Sequence, residues 1–227
     1  MDTLQIPLDS CKHLYLEDVT WDEYEALLKE AGERPIRFTY DNGRLEIMTL
    51  SHEHEFERTL IGRFIGFLAA ILNIRMKSGG SNTMKQELLD KGLEPDECYW
   101  IQREPQMRHK KRLDLDVDPP PDLVAEIDVS RSVMNRMKIY QALRVPEIWR
   151  WRRGKLIVYL LGADGKYAKS ERSEAFPFLP LDRVQQVLDK IDILDETSLV
   201  REFMALVEDE IKPRLNGGRK NGKRGRT

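Results

Sequence analysis

Cysteine is scarce: the 227-residue sequence has two, Cys11 and Cys98. That excludes a disulfide scaffold, and neither residue has the paired spacing of a zinc site. A membrane span is lacking too. The longest apolar run, Phe64 to Ile74, already contains Asn73 and is bracketed by Arg63 and Arg75, too short to cross a bilayer. No charged-then-apolar leader with a cleavage site opens the chain, so a reduced, cytoplasmic protein is expected. The sequence contains no Gly-rich phosphate loop, no nucleophile elbow and no internal repeat, which excludes the chemistries those loops serve.

Net positive charge is confined to the end of the chain. The net charge is −2, yet Ile211 to Thr227 carries seven basic residues and no acidic one. Taking those seven charges from −2 leaves the body at −9. Such a body repels a polyanion unless local patches or cations compensate. A composition of 41% hydrophobic and 33% charged residues is that of a globular protein. One domain over residues 1–210 is expected, with a basic, disordered tail over 211–227.

Local patterns predict a mixed α/β chain. Thr20-Trp21-Asp22-Glu23 has capping-box spacing and opens a helix to about Ala31. Asp41-Asn42-Gly43 separates two alternating runs between Ile36 and Leu50, a hairpin signal. Apolar residues recur at helical spacing from His52 to Asn73. Weak strand signals lie near Thr83 to Leu89, and core strands are expected over Pro95–Gln102 and Asp122–Val129. A helix over Ser132–Leu143, strands over Glu147–Arg152 and Lys155–Leu161, and helices over Leu181–Asp189 and Thr197–Glu210 complete the order. Trp149, Trp151 and Tyr159 read as sheet core or edge, and the basic run Arg108 to Arg112 as an exposed loop or a nucleic-acid contact.

Four stretches stand out together. They are Asp41-Asn42-Gly43-Arg44-Leu45-Glu46-Ile47-Met48, Glu94-Pro95-Asp96-Glu97-Cys98-Tyr99-Trp100-Ile101, Pro120-Pro121-Asp122-Leu123-Val124-Ala125-Glu126-Ile127-Asp128, and Asn135 to Tyr140 leading into Val145-Pro146-Glu147-Ile148-Trp149-Arg150. In combination they resemble the Uma-two family of restriction endonuclease-like proteins, within the PD-(D/E)XK nuclease superfamily. The resemblance covers roughly Tyr40 to Tyr167. It implies a mixed α+β fold with a restriction-endonuclease-like core, a central mixed sheet flanked by helices.

It also implies that Asp96 and Glu126 hold a divalent metal, magnesium or manganese. Magnesium takes one or two carboxylates and keeps its other positions for water and phosphate. Carboxylates on adjacent strands can lie about 5 Å apart. Asp122 and Glu126 would be separated by roughly 13 Å along one strand, so Asp122 is expected at the strand's entry instead. Asp128 shares a face with Glu126 and is a further candidate ligand; it stands where the superfamily pattern has lysine. By distance from Tyr140, the basic residue implied on the following helix falls on Arg136. At about 100° per residue, Arg136 lies at the edge of the face formed by Val133, Met137, Tyr140 and Leu143, while Lys138 lies nearly opposite. Arg136 is therefore expected to face the sheet and stabilise the transition state, with Lys138 as its rival. His54 and Glu57 fall on the inward stripe of the long helix's first turn. His54 is a candidate to orient water or contact phosphate, and Glu57 to complete the metal site.

Plainer readings exist for each. Asp96 and Glu126 are also compatible with exposed strand-end carboxylates, Arg136 with a salt bridge to Asp128 or Glu126, and Lys138 with a solvated helix residue. His54 and Glu57 are also compatible with ordinary helix-start residues. The resemblance points to a magnesium-dependent endonuclease hydrolysing phosphodiester bonds in DNA, by analogy as a homodimer. The alternatives are a non-catalytic nucleic-acid or protein-binding module on the same fold, and a hydrolase of another phosphate ester.

Overall fold

The structure is a computed structural model that describes residues 12–32, 34–128, 132 and 134–221. Cys11, Val133 and the last basic residues lie outside these. In chain order the elements are β1 (His13–Leu16), α1 (Trp21–Ala31), β2 (Ile36–Asp41), β3 (Arg44–Thr49), α2 (His52–Ile71), β4 (Lys77–Ser78), β5 (Met84–Gln86), β6 (Lys91–Leu93) and β7 (Glu97–Trp100). They continue with α3 (Glu104–Met107), β8 (Leu123–Ile127), α4 (Arg136–Ala142), β9 (Glu147–Arg152), β10 (Lys155–Leu161), β11 (Tyr167–Ser170), α5 (Leu181–Leu188), α6 (Glu196–Ala205) and α7 (Lys212–Asn221).

The local signals act as chemistry requires. Thr20 accepts from the Glu23 amide while the Glu23 carboxylate receives the Thr20 amide, closing the capping box of α1. Asn42 and Gly43 take positive φ of 49° and 78°, the backbone that a tight β2–β3 turn needs. Ser51 caps α2 by accepting from the His54 amide, and this fixes where His54 enters the fold.

Two sheets form where one was expected. β1-β3-β2-β6-β5 is antiparallel throughout. β11-β10-β9-β8-β7-β4 is mixed, with β8 and β9 parallel. The mixed α+β architecture is compatible with a restriction-endonuclease-like fold. Strand alternation sorts the larger sheet's two faces. Leu123, Ala125 and Ile127 of β8, with Trp149 and Trp151 of β9, pack into a core with α2, α5 and α6. Val124 and Ile148 face the other way, into a core with Ile139 and Tyr140 of α4. The smaller sheet buries Phe38, Tyr40 and Leu45 beneath Tyr24 of α1.

Some boundaries differ from expectation. α4 begins at Arg136 rather than Ser132, with Asn135 as its side-chain cap. After α6 the chain passes through a π-helical turn, Leu206–Ile211, and stays helical to Asn221, so the tail expected to be irregular starts as helix. Among the described residues no helix is long and apolar enough to cross a membrane.

Candidate active site

The antiparallel register of β7 and β8 pairs Glu97 with Ala125. One residue further, Asp96 falls opposite Glu126, and its Oδ2 accepts from the Ile127 amide at 2.8 Å. In the parallel direction Glu126 pairs with Arg150 of β9. Asp96, Glu126, Asp128, Arg150 and Arg152 form one wall of a cavity of about 440 Å³. Thr39, Glu46 and Met48, on the face of the smaller sheet turned away from α1, form the opposite wall, and Arg136, Met137 and Tyr140 of α4 close the third side. The site is thus a cleft between the two sheets.

Arg136 occupies the centre of this cleft. Its Nε donates to Glu126 Oε2 at 2.9 Å and its Nη2 to Oε1 at 2.8 Å, a bidentate fork. Nη1 donates to Thr39 Oγ1 at 2.7 Å, and Nη2 also to the Glu94 carbonyl at 2.8 Å. The Tyr140 hydroxyl donates to Glu126 Oε1. The helical spacing that turned Arg136 inward turned Lys138 outward: Lys138 is exposed and borders no part of the cavity.

The two carboxylates are tuned apart. Burial pushes Asp96 up, but His54, Arg136 and the Ile127 amide outweigh it and hold Asp96 below the usual carboxylate range. Burial dominates at Glu126 and keeps its pKa raised despite Arg136. Asp96 is therefore the firmer anion and Glu126 the readier proton acceptor. Burial alone would lower the His54 pKa, yet Asp96, Glu55 and Glu126 together raise it.

His54 and Glu57 are placed differently from expectation. His54 is fully buried behind Asp96, with Nε2 3.0 Å from Oδ1, close enough for an ion pair but with neither ring nitrogen aligned for a hydrogen bond. It borders Asp96 and is not among the residues that line the cavity. Glu57 does not join the site. It lies beside the Trp151 indole, on the sheet face opposite Arg150 and Glu126, because α2 packs against that face. Asp128 lines the cavity, but its Oδ2 is held by Arg150 and Arg152. Asp122 sits at the entry of β8 as expected and accepts from the amides of Ile101 and Arg103. The basic run Arg108–Arg112 lies in the β7–β8 connection, at the end of those strands away from Asp96 and Ile127.

Among the described residues no three His, Cys, Asp or Glu side chains converge to cage a metal. Magnesium asks for less, one or two carboxylates. A carboxylate offers about four lone-pair sites. Asp96 receives the Ile127 amide and the His54 contact, whereas Glu126 receives two Arg136 donors and Tyr140. The pair fits magnesium's modest demand, with more spare capacity at Asp96, and a cation at Glu126 competes with Arg136.

Thr39, Glu46, Tyr140, Arg150 and Arg152 were not singled out from sequence. Glu46 carried a signal: it is a buried acid between Leu45 and Ile47 on a strand, turned to the face opposite the apolar one. It accepts from Tyr15 at 2.8 Å and lies 2.6 Å from His13 Nδ1.

A protein-family model described as "Uma2: Putative restriction endonuclease" matches residues 21–191, well over half of the chain. No curated protein matches.

Proposed function

The chain belongs to the Uma2 family of restriction endonuclease-like proteins, and on that footing we propose that it is a magnesium-dependent endonuclease hydrolysing phosphodiester bonds in DNA. One observation carries the reading: the β7–β8 register sets Asp96 opposite Glu126, and both border one cleft with the half-buried guanidinium of Arg136.

When bound at Asp96 and Glu126, magnesium supplies Lewis-acid stabilisation of the charge that builds on a phosphate. The chain's own residues do the rest. Asp96 keeps its negative charge through His54 and the Ile127 amide, so it binds a cation without first losing a proton. Glu126 would share the cation, whose charge would offset the burial that raises its pKa. Arg136 retains its proton and, with four of its five N–H groups already donating, has one left beside the carboxylates for a phosphate oxygen that gains charge. The cleft between the sheets positions the strand, and paired clefts in a homodimer would reach both strands of a duplex.

The test is cleavage of supercoiled plasmid with magnesium or manganese. Wild type nicks or linearises it, and Glu126→Gln does not. Asp96→Asn removes the rise in Tm that the ion gives wild type. Equal cleavage by wild type and Glu126→Gln would exclude this site as the nuclease centre.

A second reading has an observation in its favour. Arg136 and Tyr140 already satisfy Glu126, as in a binding module that has given up the metal. Plasmid binding without cleavage, at any divalent ion, would establish it.

A further inference from the structure

The proposed reaction makes no use of Asp128, Arg150 or Arg152. Asp128 directly follows β8, and Arg150 and Arg152 alternate along β9, so both turn to the cavity while Trp149 and Trp151 pack behind. A single oxygen, Asp128 Oδ2, takes both groups: Arg150 Nη2 at 2.7 Å and Arg152 Nε at 3.1 Å. Two guanidinium groups on one carboxylate leave this cluster positive, on a wall it shares with Asp96 and Glu126. The arginine side chains are 29% and 40% exposed. Among the described residues Asp128 is the partner of each, and a guanidinium carries five N–H donors. Arg150 is also the register partner of Glu126, which puts this charge beside the cleft's centre.

We propose that Arg150 and Arg152 clamp a backbone phosphate of the nucleic-acid strand, next to the phosphate being hydrolysed, and that Asp128 is the positioning residue that aims them. The proposal takes its ligand from the DNA reading above. The planar fork of a guanidinium matches phosphate oxygens two at a time. A body at −9 before the basic end needs local cations to admit a polyanion, and these two border the cleft itself. Positive charge reaches Asp128 from the neighbouring strand. Asp128 is then engaged in holding arginines rather than in ligating metal.

The experiment is binding of the full chain to a short fluorescein-labelled DNA duplex, without divalent metal, across a salt series. The Arg150→Gln/Arg152→Gln variant is expected to bind about 10-fold more weakly, with the slope of log K against log salt reduced by about 0.9 for each phosphate no longer neutralised. Arg150→Lys/Arg152→Lys, which keeps charge without the fork, recovers the slope but not the full affinity. Arg152→Gln alone, at the more exposed position, gives the same trend if the double variant fails to fold, as its Tm would show. Wild-type affinity and slope in the folded glutamine variants, or no binding by wild type, overturns the clamp. Cleavage with magnesium is scored separately. Wild type that binds but does not cut sinks the nuclease and leaves the clamp. Wild type that cuts, beside a glutamine pair that binds and cuts equally well, does the reverse.

Discussion

Arg136→Ala removes the guanidinium that forks onto Glu126 at 2.9 and 2.8 Å and also reaches Thr39 and the Glu94 carbonyl. It leaves a carboxylate only 9% exposed with Tyr140 as its remaining hydrogen-bond donor. An exposed ion pair contributes at most about 1 kcal/mol, but removing one partner of a buried pair costs about 3–5 kcal/mol, because the other charge stays desolvated. For a protein of this size about 1 kcal/mol moves Tm by roughly 2–4 °C, so a fall of about 6–20 °C is expected. Urea unfolding of wild type, Arg136→Ala, Glu126→Gln and the double variant measures it as a cycle. The double variant should lose less than the two singles together, with a coupling of about 2 kcal/mol or more. An Arg136→Ala cost below about 1 kcal/mol, or single effects that add within about 0.5 kcal/mol, would refute a buried, mutually dependent pair.

Two further outcomes test the frame around the site. Glu147 is fully buried and accepts from the amides of Glu174 and Ala175, yet burial raises its pKa. Its contribution is therefore whole below the ordinary carboxylate pKa and is lost as pH rises through the higher folded value. Relative to Glu147→Gln, wild type should lose stability across that window, and a flat difference in denaturation midpoints across pH contradicts it. Gly92 leaves no room for a Cβ, which would overlap the Tyr24 ring and hydroxyl. Tyr24 is itself buried and stacked on Tyr40 with centroids 4.6 Å apart. Gly92→Ala should cost about 1–3 kcal/mol in chemical denaturation, and wild-type stability in that variant would mean the ring is free to move.

Where a pattern is local, the sequence carried it. The capping box at Thr20, the Asn42-Gly43 turn and the spacing of Phe64, Ile65 and Leu68 each specify an element through neighbours a few residues away. The inward turn of Arg136 and outward turn of Lys138 followed from helical spacing alone. The pairing of the sheets was not legible: β1 and β11 are short, half-exposed edge strands without a strong alternating pattern, and nothing local says that Thr39 will face Arg136 across a cleft. Glu57 misled because its stripe on α2 is indeed inward, but inward there means the face of β9 that carries Trp151, and a one-dimensional pattern does not say which side of a sheet a helix covers. Arg150 and Arg152 alternate with buried tryptophans, and no local pattern tells that their side of β9 borders a cleft.

The hydrogen bonds of Arg136 run to Thr39 in one sheet, Glu126 in the other, and the Glu94 carbonyl in the segment that joins them. One side chain is thereby both the floor of the cleft and a rivet through its two halves. Anything that draws Glu126 toward itself competes with that rivet, so occupancy of the cleft and the seam between the sheets are mechanically linked.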